Sequence, residues 1–235
     1  MKYKKEVPES EANNIWAGKG FRVFLSHKAT YKEKASELKR ELEEYGICAF
    51  VAHDDIESSK EWQNEMEKAL LSMDAFVALI TEDFYDSEWT SQEIGFSQAF
   101  DIPHIYVNLG GGNPKGFAAK IQALKCSWKE APKKIFENLL EFDEARNAFI
   151  DNLKNVSSYV LANEFYDRLI IFALNKEQCD KVIAAYNNNT QINGNYKFNG
   201  ASGSGGIIPY LNKWSGKQYE LDENNKIIEV SVELK

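Results

Sequence analysis

The chain is poor in the residues that most often announce a small-protein scaffold or a metal centre. Of its 235 residues only three are cysteines, Cys48, Cys126 and Cys179, far apart, odd in number and without a CxxC pair. That argues against a disulfide framework, a zinc site or a dithiol redox centre, and it fits a reducing compartment. The three histidines, His27, His53 and His104, have no ligand spacing among them, so no metal is assigned. Positive charge is also in deficit: 28 Lys and Arg against 36 Asp and Glu leave a formal charge of -8, a poor basis for gripping a nucleic-acid backbone. No stretch approaches the ~20 apolar residues of a membrane helix, and the opening MKYKKEVPESEANN lacks the apolar segment of a secretory signal. The expectation is a cytoplasmic protein with neither a nucleic-acid nor a membrane partner.

Two phosphate and nucleophile motifs are missing as well. Gly110-Gly-Gly-Asn-Pro-Lys-Gly116 has glycines and a lysine but not the GxxxxGK[ST] order, so it reads as a flexible loop that could border a cleft. Ser26 has no GxSxG around it and no identifiable Asp/His partners, which favours a turn or substrate hydrogen bond over a nucleophile.

What is present is an ordinary globular composition, 43% hydrophobic and 27% charged, enough to bury a core. Phe21-Arg-Val-Phe-Leu-Ser26 is a short apolar run that predicts a first strand. Tyr31, Ala35, Leu38, Leu42 and Tyr45 follow at steps of four and three, one face of a helix, with Gly46 as its stop. The cycle repeats with Ile47–Val51 as a strand, a polar loop from Ala52 to Lys60, and a helix whose apolar face is Trp62, Met66, Ala69, Leu70 and Met73. Ala75–Ile80 is continuously apolar, as a strand covered on both sides must be; Ser87 is placed to cap a helix reaching about Phe100. Ile102–Asn108 and Ala123–Trp128 supply two more strands, and a helix near Lys133–Leu140 closes the series.

Alternating strands and helices with short connections predict an α/β, flavodoxin-like parallel five-stranded sheet with helices on both faces. In such sheets the working crevice lies beyond the carboxyl ends of the strands, which draws attention to the residues after Leu25, Val51, Ile80 and Val107. From Glu141 the pattern becomes helical without strands, and Gln218–Leu221 with Lys226–Val232 could form a β-hairpin around Asn224-Asn225. Asn187–Gly206, rich in Asn, Gly and Ser, reads as a mobile loop. The division expected is an N-terminal extension at 1–18, a principal domain at 19–140 and a small mainly helical C-terminal unit at 141–235. Cys48 and Cys126 fall in strands, where a buried, inert thiol is expected.

One segment carries chemistry. In Phe84-Tyr-Asp-Ser-Glu-Trp-Thr-Ser-Gln-Glu93, Trp89 and Glu93 stand four residues apart at the start of a helix and share a face. Alone, Trp89 is more often a core anchor and Glu93 a solvated helix residue. With its surroundings the segment resembles the Toll/interleukin-1 receptor (TIR) family, whose enzymatic members place a glutamate four residues after a tryptophan in this helix. FRVFLSHK at 21–28 resembles the family's opening strand and loop, VAHDDIESSKEW at 51–62 its second strand and BB loop, and PKGFAAKIQAL at 114–124 the region before the last strand in bacterial members. The likeness covers about residues 19–140 and is specific as an ordered set. Two positions depart from the pattern: Ser58-Ser59 stand where many members carry Pro or Gly in the BB loop, and His27 follows Ser26 where others often have Tyr.

The resemblance to NAD-cleaving bacterial members, including Thoeris-like antiphage proteins, implies cleavage of the nicotinamide–ribose bond, with NAD+ as substrate and no cofactor. The product would be ADP-ribose or a cyclic isomer acting as a signal. Such scission develops oxocarbenium character on the ribose, which a carboxylate can stabilise as in glycosidases, and Glu93 is the candidate for that role. Trp89 and Trp62 are candidates to face a ring, Phe24 to support the floor, Lys28 to answer a phosphate, and Ser26, His27, Asp54 and Asp55 to contact substrate or shape the loop. The resemblance further implies self-association through the TIR domain and a downstream effector that senses the product. Two alternatives stay open: a non-catalytic adaptor working through homotypic association, and a hydrolase using the same glutamate on a smaller nucleoside.

Overall fold

Six consecutive apolar residues, Ala75–Ile80, can be satisfied only by a strand covered on both faces, and all six are buried at the centre of a parallel sheet. The computed structural model describes residues 7–16, 20–51, 60–201, 203 and 205–230, with no side-chain description for 60–62. The chain divides into two compact units, Met1–Ala148 and Phe149–Lys235.

In the first unit the order is α1 (Glu9–Ile15), β1 (Phe21–Ser26), α2 (Lys32–Glu43), β2 (Ile47–Val51), α3 (Lys60–Ser72), β3 (Ala75–Ile80), α4 (Glu88–Ser97), β4 (His104–Asn108), β5 (Leu124–Lys125) and α5 (Ala131–Leu139). The strands run in the order β2-β1-β3-β4-β5, every neighbouring pair parallel. This is the flavodoxin-like arrangement expected, with its topological switch between β1 and β3. Ser26, the last residue of β1, pairs with Ala78 of β3, which sets it at the carboxyl edge beside that switch.

Helix amphipathicity assigns the layers. On α2, Ala35, Leu38 and Leu42 are buried, and Gly46 turns the chain at φ 82°, a left-handed conformation that glycine adopts without a Cβ penalty. Met66, Ala69 and Leu70 of α3 and Ile94 of α4 join Phe24, Phe76, Ala78, Ile80 and Tyr106 from the strands in one apolar cluster. Phe24 lies at its middle, stacked on Phe50 and Phe76 with ring centroids 5.4 and 5.9 Å away.

Among the described residues of the opening segment, α1 packs on α3, and Ala12 and Trp16 are buried in the cluster, the indole Nε1 donating to Ser72 Oγ at 2.8 Å. Two expectations for this unit need revision. The strand expected over Ala123–Trp128 pairs only at Leu124–Lys125, because Ser127 turns to give both its N–H and its hydroxyl to Glu130 at the entrance to α5. Ser87 does occupy the N-cap position of α4 but makes no side-chain cap. Instead the Thr90 hydroxyl donates back to the carbonyls of Phe84 and Ser87.

The chain continues through α6 (Asp143–Asn152), within which the two units divide, to α7 (Tyr159–Leu169), α8 (Lys176–Asn188), α9 (Thr190–Asn193), α10 (Ile208–Ser215), β6 (Gln218–Leu221) and β7 (Ile227–Val230). Inside the second unit Phe149 stacks on Phe165 at 4.6 Å, and Asn175 with Gln178 forms a reciprocal capping box on α8. The hairpin is present: β6 and β7 pair antiparallel from Gln218↔Val230 to Leu221↔Ile227, with Asn225 in the left-handed region at φ 58°. The expected mobile loop over Asn187–Gly206 is corrected. Its described residues continue α8 and form α9, and Phe198 is buried. Asparagine amides replace backbone partners there. Asn189 Nδ2 donates to the carbonyls of Leu153, Lys154 and Val156, and Asn195 Nδ2 to Tyr159 O and Asn163 Oδ1.

Candidate functional site

α4 follows β3 after the turn at 81–87, and its Glu93 reaches Ser26 at the carboxyl edge of the sheet. Trp89, Gln92, Glu93 and Phe96 share one flank of this helix, and across from them lie Gln63, Met66, Glu67 and Leu70 of α3. Together they line a cavity of about 320 Å3. That is at the lower end of the roughly 300–1,000 Å3 typical of small-molecule sites, enough for part of a dinucleotide. Met66, Leu70, Trp89 and Phe96 make half of the lining apolar or aromatic, and Gln63, Glu67, Gln92 and Glu93 make the other half polar.

Glu93 is the exceptional group. It is only 4% exposed, and its Oε2 accepts a hydrogen bond from Ser26 Oγ at 2.5 Å, across 67 residues of sequence. Burial pushes its carboxyl from the ordinary 4.5 up to about 8, while the Ser26 hydroxyl pulls the other way by stabilising the charged form. A buried carboxylic acid with a strongly displaced titration, in a cavity, is a functional candidate on physical grounds.

The other residues singled out from the sequence divide into groups. Trp89, one helical turn before Glu93, lines the same cavity and is 38% exposed. Phe24 is fully buried two residues before Ser26 on the same face of β1, in the apolar layer that supports the site. His27 is buried, with Nδ1 donating to the Leu25 carbonyl at 3.0 Å. Lys28 forms an ion pair with Asp83 at 3.2 Å. Asp54 and Asp55 lie outside the described residues, as does the side chain of Trp62.

The glycine loop has its amides engaged. Gly110 and Gly112 N–H donate to Asn108 Oδ1, and Leu109 and Gly111 N–H to the Ile80 carbonyl. A Cβ on Gly111 would come within 1.9 Å of the Thr81 carbonyl oxygen, so glycine there serves a close backbone approach. Further along, Lys115 and Gly116 border a second cavity of about 290 Å3 with Tyr85, Ser91, Ile94 and Gly95. Ser91 and Gly95 fall on the opposite side of α4 from Glu93, so this loop borders a different depression.

Several cavity residues were not anticipated. Gln92 and Phe96 could have been found from the helical spacing that paired Trp89 with Glu93. Gln63, Met66, Glu67 and Leu70 are supplied by the neighbouring helix, and nothing local in the sequence indicates that they meet Glu93. The contact between Ser26 and Glu93 was likewise missed, Ser26 having been read as a turn or substrate contact. Among the described residues no group of three or more His, Cys, Asp or Glu side chains could hold a metal, and no helix is long and apolar enough to cross a membrane.

Comparison with protein families matches residues 23–140 to the TIR domain. Comparisons with curated proteins and with solved structures returned no match. The matched region spans half of the chain and contains the five-stranded sheet except for the first two residues of β1, together with the Glu93 cavity and α5. The chain therefore belongs to the TIR domain family.

Proposed function

We propose that this TIR domain cleaves the nicotinamide–ribose bond of NAD+, with Glu93 as the catalytic carboxylate. The observation that carries the reading is Glu93 itself, buried beside Trp89 in a cavity at the switch-point edge of the sheet. In the reaction the bond from ribose C1′ to the pyridinium nitrogen breaks and nicotinamide leaves with the electron pair. The positive charge left on C1′ and the ring oxygen is stabilised by the Glu93 carboxylate, whose field is strong where water is excluded. Attack by water gives ADP-ribose and releases a proton; attack by a nucleophile within the same molecule gives a cyclic isomer.

Trp89 is placed in this reading against the nicotinamide or adenine ring, and Phe24 beneath the site. His27, Asp54, Asp55 and Trp62 remain candidates to shape the approach. Lys28 would have to exchange its Asp83 partner to answer a phosphate. If Trp89 supplies ring contact and little else, Trp89→Ala raises KM for NAD+ by about five- to tenfold, the worth of roughly 1 kcal/mol of aromatic contact. Steady-state kinetics beside a thermal melt checks this; an unchanged KM removes Trp89 from the site.

The product in this reading is a cyclic ADP-ribose-type signal, read by a separate effector in antiphage defence. In the same reading residues 19–140 carry the chemistry, TIR–TIR association completes the site, and residues 141–235 hold assembly in check or sense a trigger. The test is incubation of concentrated wild-type and Glu93→Ala protein with NAD+, resolving nicotinamide and every ADP-ribose isomer by chromatography and mass spectrometry. Glutamate-dependent nicotinamide release supports the enzyme, and a cyclic isomer supports signalling. Intact NAD+ with assembled wild-type protein favours the adaptor.

A further inference from the structure

We propose that Ser26 is a positioning residue for Glu93: its hydroxyl, fixed at the end of β1, holds one carboxylate oxygen and leaves the other to meet the substrate. This rests on the reading of Glu93 given above and extends it to a second structural element.

The geometry is specific. Ser26 is fully buried and Glu93 nearly so, and the 2.5 Å contact joins the last residue of a central strand to the second turn of α4. A serine hydroxyl has one proton to give. Given to Glu93, it is not available to a substrate, which separates this role from that of a substrate donor. The strand is a stiff support: Ser26 pairs in register with Ala78, and Phe24, two residues earlier, is stacked on Phe50 and Phe76. A functional group held by a packed strand keeps its geometry better than one held by a loop.

The charge environment gives the contact a second consequence. The described titratable groups on the elements around this pair include Glu67 of α3, which lines the same cavity, Glu88 on α4 itself, and His27 and Lys28 following Ser26 in the chain. β3, packed behind, brings none. The Lys28 ammonium is taken by Asp83, and burial and the Ser26 hydroxyl are the two causes that act on the Glu93 carboxyl. The hydroxyl of Ser26 is thus a neutral dipole that favours the Glu93 anion against burial. Removing it makes the site need a higher pH to become charged.

The experiment compares wild type, Ser26→Ala and Ser26→Thr. The Glu93 side-chain carboxyl is followed by 13C NMR through pH and assigned by its loss in Glu93→Gln, while NAD+ cleavage is measured over the same range. The expected result is a Glu93 midpoint about one unit higher in Ser26→Ala, hence about tenfold less cleavage near neutral pH. That deficit should shrink at alkaline pH, and Ser26→Thr, which keeps the hydroxyl, should return the midpoint towards wild type. An equal loss at every pH, or an unmoved midpoint, overturns the proposal. A shifted midpoint in a protein that never cleaves NAD+ upholds the coupling of Ser26 to Glu93 and instead overturns the enzymatic reading.

Discussion

Glu93→Gln is expected to lose NAD+ cleavage by about 10²–10³-fold, the usual cost of deleting one electrostatic stabiliser, and to be more stable than the parent above about pH 8. The two effects have one origin. Glu93 is buried, and burial raises its folded carboxyl from the ordinary 4.5 to about 8. The folded state therefore keeps a proton that the unfolded chain has already released. The stability from this protonated form is fully present below about pH 4.5 and is lost as pH rises through about 8, at roughly 1.4 kcal/mol per unit. Above that window the parent holds a buried charge, at a cost on the order of several kcal/mol. Glutamine has the same shape and no charge, so the slope disappears. Melts of both proteins between about pH 5 and pH 9 should diverge in favour of the variant on the alkaline side. Parallel curves would mean that Glu93 is ionised and well solvated, and the case for a tuned carboxylate would fall with them.

Trp16→Ala is expected to destabilise the first unit by about 3–5 kcal/mol, the range for removing a large buried aromatic. Trp16 is 1% exposed, lies edge-on to Phe50 with centroids 5.9 Å apart, and donates its indole proton to Ser72. The ion pairs that also tie α1 down, Glu9 with Arg22 and Glu11 with Lys68, have exposed acidic partners and contribute little beside the indole. Trp16→Phe, which keeps an aromatic ring, should recover part of the loss, and Ser72 still has the Lys68 carbonyl to donate to. Urea unfolding monitored by circular dichroism measures the difference. A Trp16→Ala protein within about 1 kcal/mol of the parent would make α1 an appendage after all.

What could be read from the chain alone follows the range of the interactions involved. β1 and β3 are runs of apolar residues, α2 repeats its apolar positions every three or four, and Trp89 with Glu93 is one helical turn; each is a local signal, and each is where it was expected. α1 was not singled out because the few apolar side chains in and around it, Ala12 and Trp16 buried with Val7 and Ile15 partly so, are spread through a charged segment. The Asn- and Gly-rich segment around 190–206 looked unstructured because hydropathy does not register an amide that substitutes for backbone partners, as those of Asn189 and Asn195 do. Ser26 and Glu93 could each be picked out as candidates. Their hydrogen bond could not, since it depends on the strand order that brings β1 and β3 together beneath α4.

The most direct test is the rate of nicotinamide release from NAD+ as a function of pH, for concentrated wild-type protein and Glu93→Gln side by side. The expected result is a wild-type rate that climbs through a limb near pH 8 as the buried carboxylate ionises, with a glutamine variant near background throughout. Equal release by the two proteins would contradict the central claim, because the carboxylate at position 93 would then not be the group that does the chemistry.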